Sequence, residues 1–115
     1  MNEREVKTLK KILTCINKIE SYTVTVMSEE EFNHNSIVKD AVVFNLLQIG
    51  ELSYKKLTDD FKNKYEYIPW RQIYGLRNRI VHDYDNVHVS IVYSTVKNEL
   101  IELGKEIKQL LEVLD

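Results

Sequence analysis

From Val89 to its C-terminal end the chain repeats one pattern. Apolar residues fall at Val89, Val92, Val96, Leu100, Leu103, Ile107, Leu110 and Leu114, always three or four apart. On a helix of about 3.6 residues per turn that spacing makes a single stripe, and a stripe this long must be packed along its whole length. The same period runs through Val6, Leu9, Leu13 and Ile16, widened by Ile12 and Ile19, so a first helix is expected over residues 3–21. With only 3 glycines and 1 proline in 115 residues, there is little material for the turns of a many-stranded sheet.

The middle of the chain adds shorter signals. Thr23-Val24-Thr25-Val26 is β-branched but too short and isolated for a sheet, and reads as a connector. Ser28-Glu29-Glu30-Glu31 reads as a cap with an acidic first turn, with Glu31 at the capping-box position; a short helix should end near His34. A third segment, from Asn35 or Ser36 to about Leu57, carries Ile37, Val38, Val42, Phe44, Leu46, Ile49 and Leu52 around most of its circumference. A helix apolar nearly all round is buried on more than one side, which predicts one face on the core and another on a second subunit. Gly50 in its middle costs about 1 kcal/mol relative to alanine, a cost that close approach of another backbone would explain. Thr58-Asp59-Asp60 opens a short polar turn or helix through Tyr65. Ile68-Pro69-Trp70 starts a fourth main helix, because proline suits a first helical turn; it should run from Pro69 to Val81 or His82, and residues 83–87 are turn-like. Short connections between long helices favour antiparallel neighbours. The expected fold is therefore all-α: one domain over residues 1–115, an up-and-down bundle of four main helices plus one or two short ones, homodimeric through the third helix with help from the fourth.

Charge and cysteine usage narrow the function. The net charge is -2, so any nucleic-acid contact must come from a local basic patch rather than from the overall field. No apolar run approaches the roughly 18 residues that span a bilayer. The charged start Met1-Asn2-Glu3-Arg4-Glu5 lacks the apolar core of a signal peptide, so a cytoplasmic location is expected. The single Cys15 can form neither an internal disulfide nor a cysteine metal site, and reads as a small buried hydrophobe. His34 and His88 lack partners at metal-ligand spacing, so no metal and no cofactor is expected.

Chemistry concentrates in Gly75-Leu76-Arg77-Asn78-Arg79-Ile80-Val81-His82-Asp83-Tyr84. Arg77 carries a permanent charge and a planar fork of donors that matches phosphate. His82 exchanges a proton near neutral pH without special tuning. A phosphate clamp beside a proton carrier is what internal transesterification of RNA requires: one histidine takes the 2'-hydroxyl proton, a second protonates the leaving 5'-oxygen, and arginine stabilises charge on phosphorus. The products would be a 2',3'-cyclic phosphate and a 5'-hydroxyl. On a regular helix, however, Arg77 and His82 point about 140 degrees apart. Either the helix ends before His82, or a second copy brings its own pair across a two-fold axis; the third helix favours the second solution. The competing assignments are structural: Arg77 pairing with Asp83 or Asp85, and His82 capping the helix C-terminus. Arg71 and Arg79 are weak candidates to extend the cationic site, and Lys55 and Lys56 weaker ones. Trp70 either stacks on a base or packs, and packing is favoured. Gln48 and Glu51 either buttress Arg77 or Arg79 across the core or mark the wet edge of their helix.

Gln48-Ile49-Gly50-Glu51, Ile68-Pro69-Trp70-Arg71-Gln72-Ile73, the segment Gly75 to Tyr84, and Ile91-Val92-Tyr93 before the long final helix together resemble the HepT-like branch of the HEPN superfamily. The resemblance spans the chain from about Ile37 to its end. It implies a small homodimeric helical bundle and a metal-independent ribonuclease toxin of a type VII-like toxin-antitoxin pair, with a nucleotidyltransferase as antitoxin. It assigns Arg77 and His82 as the catalytic pair of an Arg-x4-His-x-Tyr signature, Asn78 as the supporting polar residue, and Tyr84 as the tyrosine that receives AMP in related systems. The alternative is a catalytically silent module of the same superfamily that docks a nucleotidyltransferase or binds a nucleotide.

Overall fold

Seven helices and no strand make up residues 3–83 and 88–114, the part of the chain that the computed structural model describes. They are α1 (Glu3–Thr23), α2 (Glu29–His34), α3 (Ser36–Lys56), α4 (Asp59–Lys64), α5 (Trp70–Asp83), α6 (Val89–Lys97) and α7 (Glu99–Leu114). Three of the starts are set by side chains that accept the otherwise orphaned amides of a first turn. Ser28 Oγ accepts from Glu31 N at 3.1 Å, Asn35 Oδ1 from Val38 N at 3.1 Å and Thr58 Oγ1 from Phe61 N at 3.1 Å. Each such cap contributes about 1 kcal/mol. Glu31 reaches back to the amide of Met27 at 2.7 Å, one residue before the cap, and so completes a variant of the expected capping box.

The apolar stripes then decide the packing. Leu9, Ile12, Ile16 and Ile19 of α1 are fully buried, and α1 lies against α3 and α7. The α3 side of the core is Val42, Val43, Leu46 and Ile49; the α7 side is Leu103, Ile107 and Leu110. Phe32 of α2 is wholly enclosed, its ring 5.7 Å from that of Tyr93 on α6. Asn45 and Ser53 are buried on α3 but donate to the carbonyls of Ala41 (2.9 Å) and Ile49 (2.8 Å), which removes the penalty of an unmet polar group. Trp70 is packed rather than offered to a ligand: 8% exposed, it lies near Phe61 and donates its indole N–H to the Tyr65 carbonyl at 3.0 Å.

The fold departs from the sequence reading in two places. The C-terminal stripe belongs to two helices, not one. Asn98 takes the non-helical pair φ -127, ψ -79 and its side-chain amide donates to the Ser94 carbonyl at 3.0 Å. An asparagine side chain competes for helical carbonyls in this way. The apolar register survives the break, since Val92, Val96, Leu100 and Leu103 are all buried. The short helices among the described residues are accordingly α2, α4 and α6. Cys15 is half-buried rather than enclosed; burial still pushes its thiol above the usual range, with Lys18 pulling the other way. The third helix, α3, sets one side on the core and leaves another open in the single chain. Ile37 is 81% and Phe44 58% exposed, so one line of this helix lacks a partner in the single chain. Among the described residues no helix is long and apolar enough to cross a membrane.

Candidate active site at the contact of α3 and α5

Gly50 is where α5 comes closest to α3. A methyl group built on it would lie 2.7 Å from Arg77 Cγ and closer still to Cβ. The close approach expected at Gly50 is therefore made by the root of the Arg77 side chain. One turn along, Tyr54 stacks on Tyr74 with ring centres 4.6 Å apart. Moving forward along α3 thus means moving backward along α5, and the two helices are antiparallel.

This register places the Arg77 side chain, 17% exposed, in a polar niche. Its Nε donates to Glu51 Oε1, and its Nη1 donates to Asn78 Oδ1 at 2.8 Å. Its guanidinium carbon lies 5.7 Å from the Tyr54 ring centre and 5.9 Å from that of Tyr74, within cation–π reach of both. The other oxygen of Glu51 meets Lys55 Nζ at 2.8 Å. Lys55 and then Arg77 hold the Glu51 carboxyl below its ordinary value of 4.5. A guanidinium has five N–H donors. The described contacts use two of them, and those remaining have the fork geometry that grips a phosphate.

Of the alternatives left open by the sequence, Glu51 is the residue that buttresses Arg77 across the helix contact. Arg77, Asn78 and Glu51 are brought together. His82 is not part of that niche: it is exposed in the last turn of α5, and the helix runs on through Asp83 instead of ending before it. Arg77 and His82 are thus five residues apart on one uninterrupted helix and diverge by about 140 degrees. Val81, 45% exposed, sits between them. Arg71 is exposed and lines a cleft of about 770 Å³ beside the tyrosine pair, whereas Arg79 turns to a separate apolar groove of about 480 Å³ with Ile91, Thr95 and Glu99. Lys55 is engaged with Glu51. Tyr84, Asp85 and the side chain of Asp83 lie outside the described part of the structure. Among the described residues no group of three or more His, Cys, Asp or Glu side chains is placed to hold a metal.

Tyr54 and Tyr74 are the components that sequence reasoning missed. A signal was available: Tyr54 lies three residues after Glu51 and Tyr74 three before Arg77, mirrored offsets that bring rings together once the helices are known to be antiparallel.

A family model described as ribonuclease HepT-like matches residues 12–110. Two Methanocaldococcus jannaschii proteins, each named as a "Putative RNase", are each 34% identical over 100% of this chain, covering 98% and 94% of their own lengths. A Thermococcus cleftensis protein named "Probable ribonuclease HepT" is 32% identical over 89% of this chain and 91% of its own. No solved structure gives a significant match.

Proposed function

The chain belongs to the HepT-like ribonuclease family, and on that premise we propose that it is a metal-independent endoribonuclease whose active site is completed by a second copy of itself. Arg77 clamps the scissile phosphate, Asn78 and Glu51 orient its guanidinium, and His82 exchanges protons with the 2'-hydroxyl and the leaving 5'-oxygen. The reaction leaves a 2',3'-cyclic phosphate and a 5'-hydroxyl, and spares DNA, which lacks the internal nucleophile.

The observation that carries this reading is the continuity of α5 through Asp83. It leaves Arg77 and His82 of one chain on different sides of a helix, beside an uncovered apolar surface. Ile37, Phe44 and Glu51 recur every seven residues on α3, about 20 degrees apart in projection, and so form one line that leads to the Arg77 niche. A two-fold partner laid on that line and on Val81 buries the exposed rings and supplies a second arginine and a second histidine, so that acid and base are both present.

In this reading the protein is the toxin of a toxin-antitoxin pair. A nucleotidyltransferase antitoxin silences it by moving AMP to Tyr84. A phosphate-bearing group two residues from His82 fills the site and offsets the charge that attracts RNA. Arg71 and Arg79 are secondary cationic contacts.

One observation favours a second reading. Glu51 already neutralises Arg77, as suits a silent module that docks a nucleotidyltransferase or holds a nucleotide. Incubating wild type and His82→Ala with RNA in excess chelator separates the two. Cleavage by wild type alone, with cyclic-phosphate ends, supports the enzyme; equal cleavage by both removes His82 from the mechanism, and no cleavage at any concentration favours the silent module. Sedimentation equilibrium tests the dimer in the same samples.

A further inference from the structure

The cleft beside Arg77 has the makings of a nucleotide subsite. It has about 770 Å³ between the end of α3, α4 and the start of α5, and it is lined by the stacked Tyr54–Tyr74 pair, whose ring centres lie within 6 Å of the Arg77 guanidinium carbon. Tyr54 is 50% exposed, although it makes an aromatic stack and two cation–π contacts, and it lines the cleft. Lys62 Nζ lies 6.0 Å from the Tyr54 ring centre on the cleft side, held by the Ser53 carbonyl at 3.2 Å and more loosely by Asp59 at 4.0 Å. Arg71 is exposed at the mouth, and Asn63 and Gln72 line the walls. Aromatic faces flanked by cations are how proteins hold single-stranded nucleic acid, because every base has a π-face to stack. Side-chain amides read base edges.

We propose that this cleft binds the base next to the scissile phosphate of a single-stranded RNA, stacked on the Tyr54–Tyr74 pair, with the exposed Arg71 receiving the following phosphate at its mouth. The spacing fits: the guanidinium is less than 6 Å from both ring centres, so a phosphate on Arg77 and a base on the tyrosines belong to one nucleotide step. The carboxylates of Asp59 and Glu66 also line the cleft. They oppose a phosphate inside the cleft and can accept from exocyclic amino groups, which favours a base within it and leaves the following phosphate to Arg71 at the mouth. The subsite deepens the ribonuclease reading and rests on it for its orientation relative to the cut.

The test uses a single-stranded 2'-O-methyl RNA 10-mer carrying one 2-aminopurine, which binds but cannot be cleaved because its nucleophile is blocked. Wild type should quench the probe on stacking, and AMP alone at equal concentration should not displace it. Tyr54→Leu and Tyr74→Leu should each weaken binding about 10- to 100-fold, the range of one stacked base. Tyr54→Phe, which keeps the ring, should bind within about threefold of wild type by the same principle. Tyr67→Leu, an exposed tyrosine outside the cleft, should match wild type. Undiminished binding by folded Tyr54→Leu and Tyr74→Leu overturns the proposal, and so does displacement by AMP, which would make the cleft a mononucleotide site. Should the leucine variants fail to fold, photocrosslinking wild type to a 5-iodouridine oligonucleotide decides: adducts on Tyr54 or Tyr74 support the subsite, and adducts elsewhere exclude it. Cleavage of unmodified RNA is scored separately. Quenching without cleavage leaves the subsite standing and removes the ribonuclease reading; cleavage without quenching does the reverse.

Discussion

Replacing Gly50 by alanine sets two effects of known size against each other. Alanine in a helix interior is favoured over glycine by about 1 kcal/mol. The new methyl, however, meets Arg77 Cγ and, closer still, Cβ, an atom fixed to the α5 backbone that cannot swing aside as the tip of a long side chain would. Forcing a methyl into such a contact costs about 1–3 kcal/mol, so Gly50→Ala should be destabilised by up to about 2 kcal/mol. Gly75 supplies the control. It too sits inside a helix, but nothing beyond its chain neighbours and the nearby backbone of its own helix lies within 4 Å of its would-be Cβ. Gly75→Ala should therefore gain the full propensity difference of about 1 kcal/mol. For a chain of this length 1 kcal/mol is about 4 °C in Tm, so thermal unfolding followed by circular dichroism should raise Tm about 4 °C for Gly75→Ala and lower it by up to about 8 °C for Gly50→Ala. A Gly50→Ala protein as stable as Gly75→Ala would refute the packing of α3 on α5 described above. Under the proposed mechanism the same methyl displaces the arginine root, and a shift near 1 Å at a positioning group costs on the order of 100-fold in rate. Gly50→Ala should then lose far more activity than stability.

Two carboxylates make opposite predictions about pH. Glu51 is held below 4.5 by Lys55 and Arg77, so its ionised form stabilises the fold above that pH and the contribution is lost as pH falls through the lower native value. Glu51→Gln should be less stable than wild type by about 1 kcal/mol or less at pH 7, the scale of a part-exposed ion pair, with the two curves converging in acid; a gap that does not narrow as pH falls below 4.5 would mean that the pair is not responsible. Glu106 is raised, first by burial and then by Glu102, so the native state binds its proton more tightly than the unfolded chain and stability falls as pH rises from 4.5 through the native value. Glu106→Gln should be more stable than wild type at pH 7 and indistinguishable from it at pH 4, as measured by urea titration at the two pH values.

Features that a few neighbouring residues decide were legible in the sequence. Ser28 with Glu31 and Asn35 before its helix were readable because a cap depends only on the side chain and the amide three residues on. The Asn98 break was not, because asparagine is also common on exposed helical faces and the stripe around it never falters. Glu51 was legible as one of two alternatives, since a carboxylate on a mostly apolar helix must have either a partner or water. The choice between Arg77 and Arg79 needed the rotation of α5 about its axis, which no local pattern encodes. Tyr54 and Tyr74 needed more: the antiparallel register of two helices separated by α4 and its flanking turns, a quantity set by the packing of Gly50 on Arg77.

That register also bears on what a second subunit would do to the site. The line Ile37, Phe44, Glu51 is apolar at one end and acidic at the other, so a partner resting on Phe44 and Val81 would exclude water from the edge of the Arg77 niche without covering the guanidinium. Lower polarity strengthens each charge interaction there, the Glu51 pair and an incoming phosphate alike. The two take different donors of the one guanidinium. With its Nε–H committed to Glu51 and one Nη1 N–H to Asn78, Arg77 is oriented before substrate arrives and keeps Nη2 for the phosphate. Preorganisation of this kind puts the cost of aligning the arginine into folding rather than into the transition state. On this account Glu51 is a positioning residue, not merely a mask on the charge. Glu51→Gln, which keeps an acceptor for Nε, should therefore lose less activity than Glu51→Ala; the reverse order in a cleavage assay would make Glu51 an inhibitor of Arg77 and lend weight to the silent module.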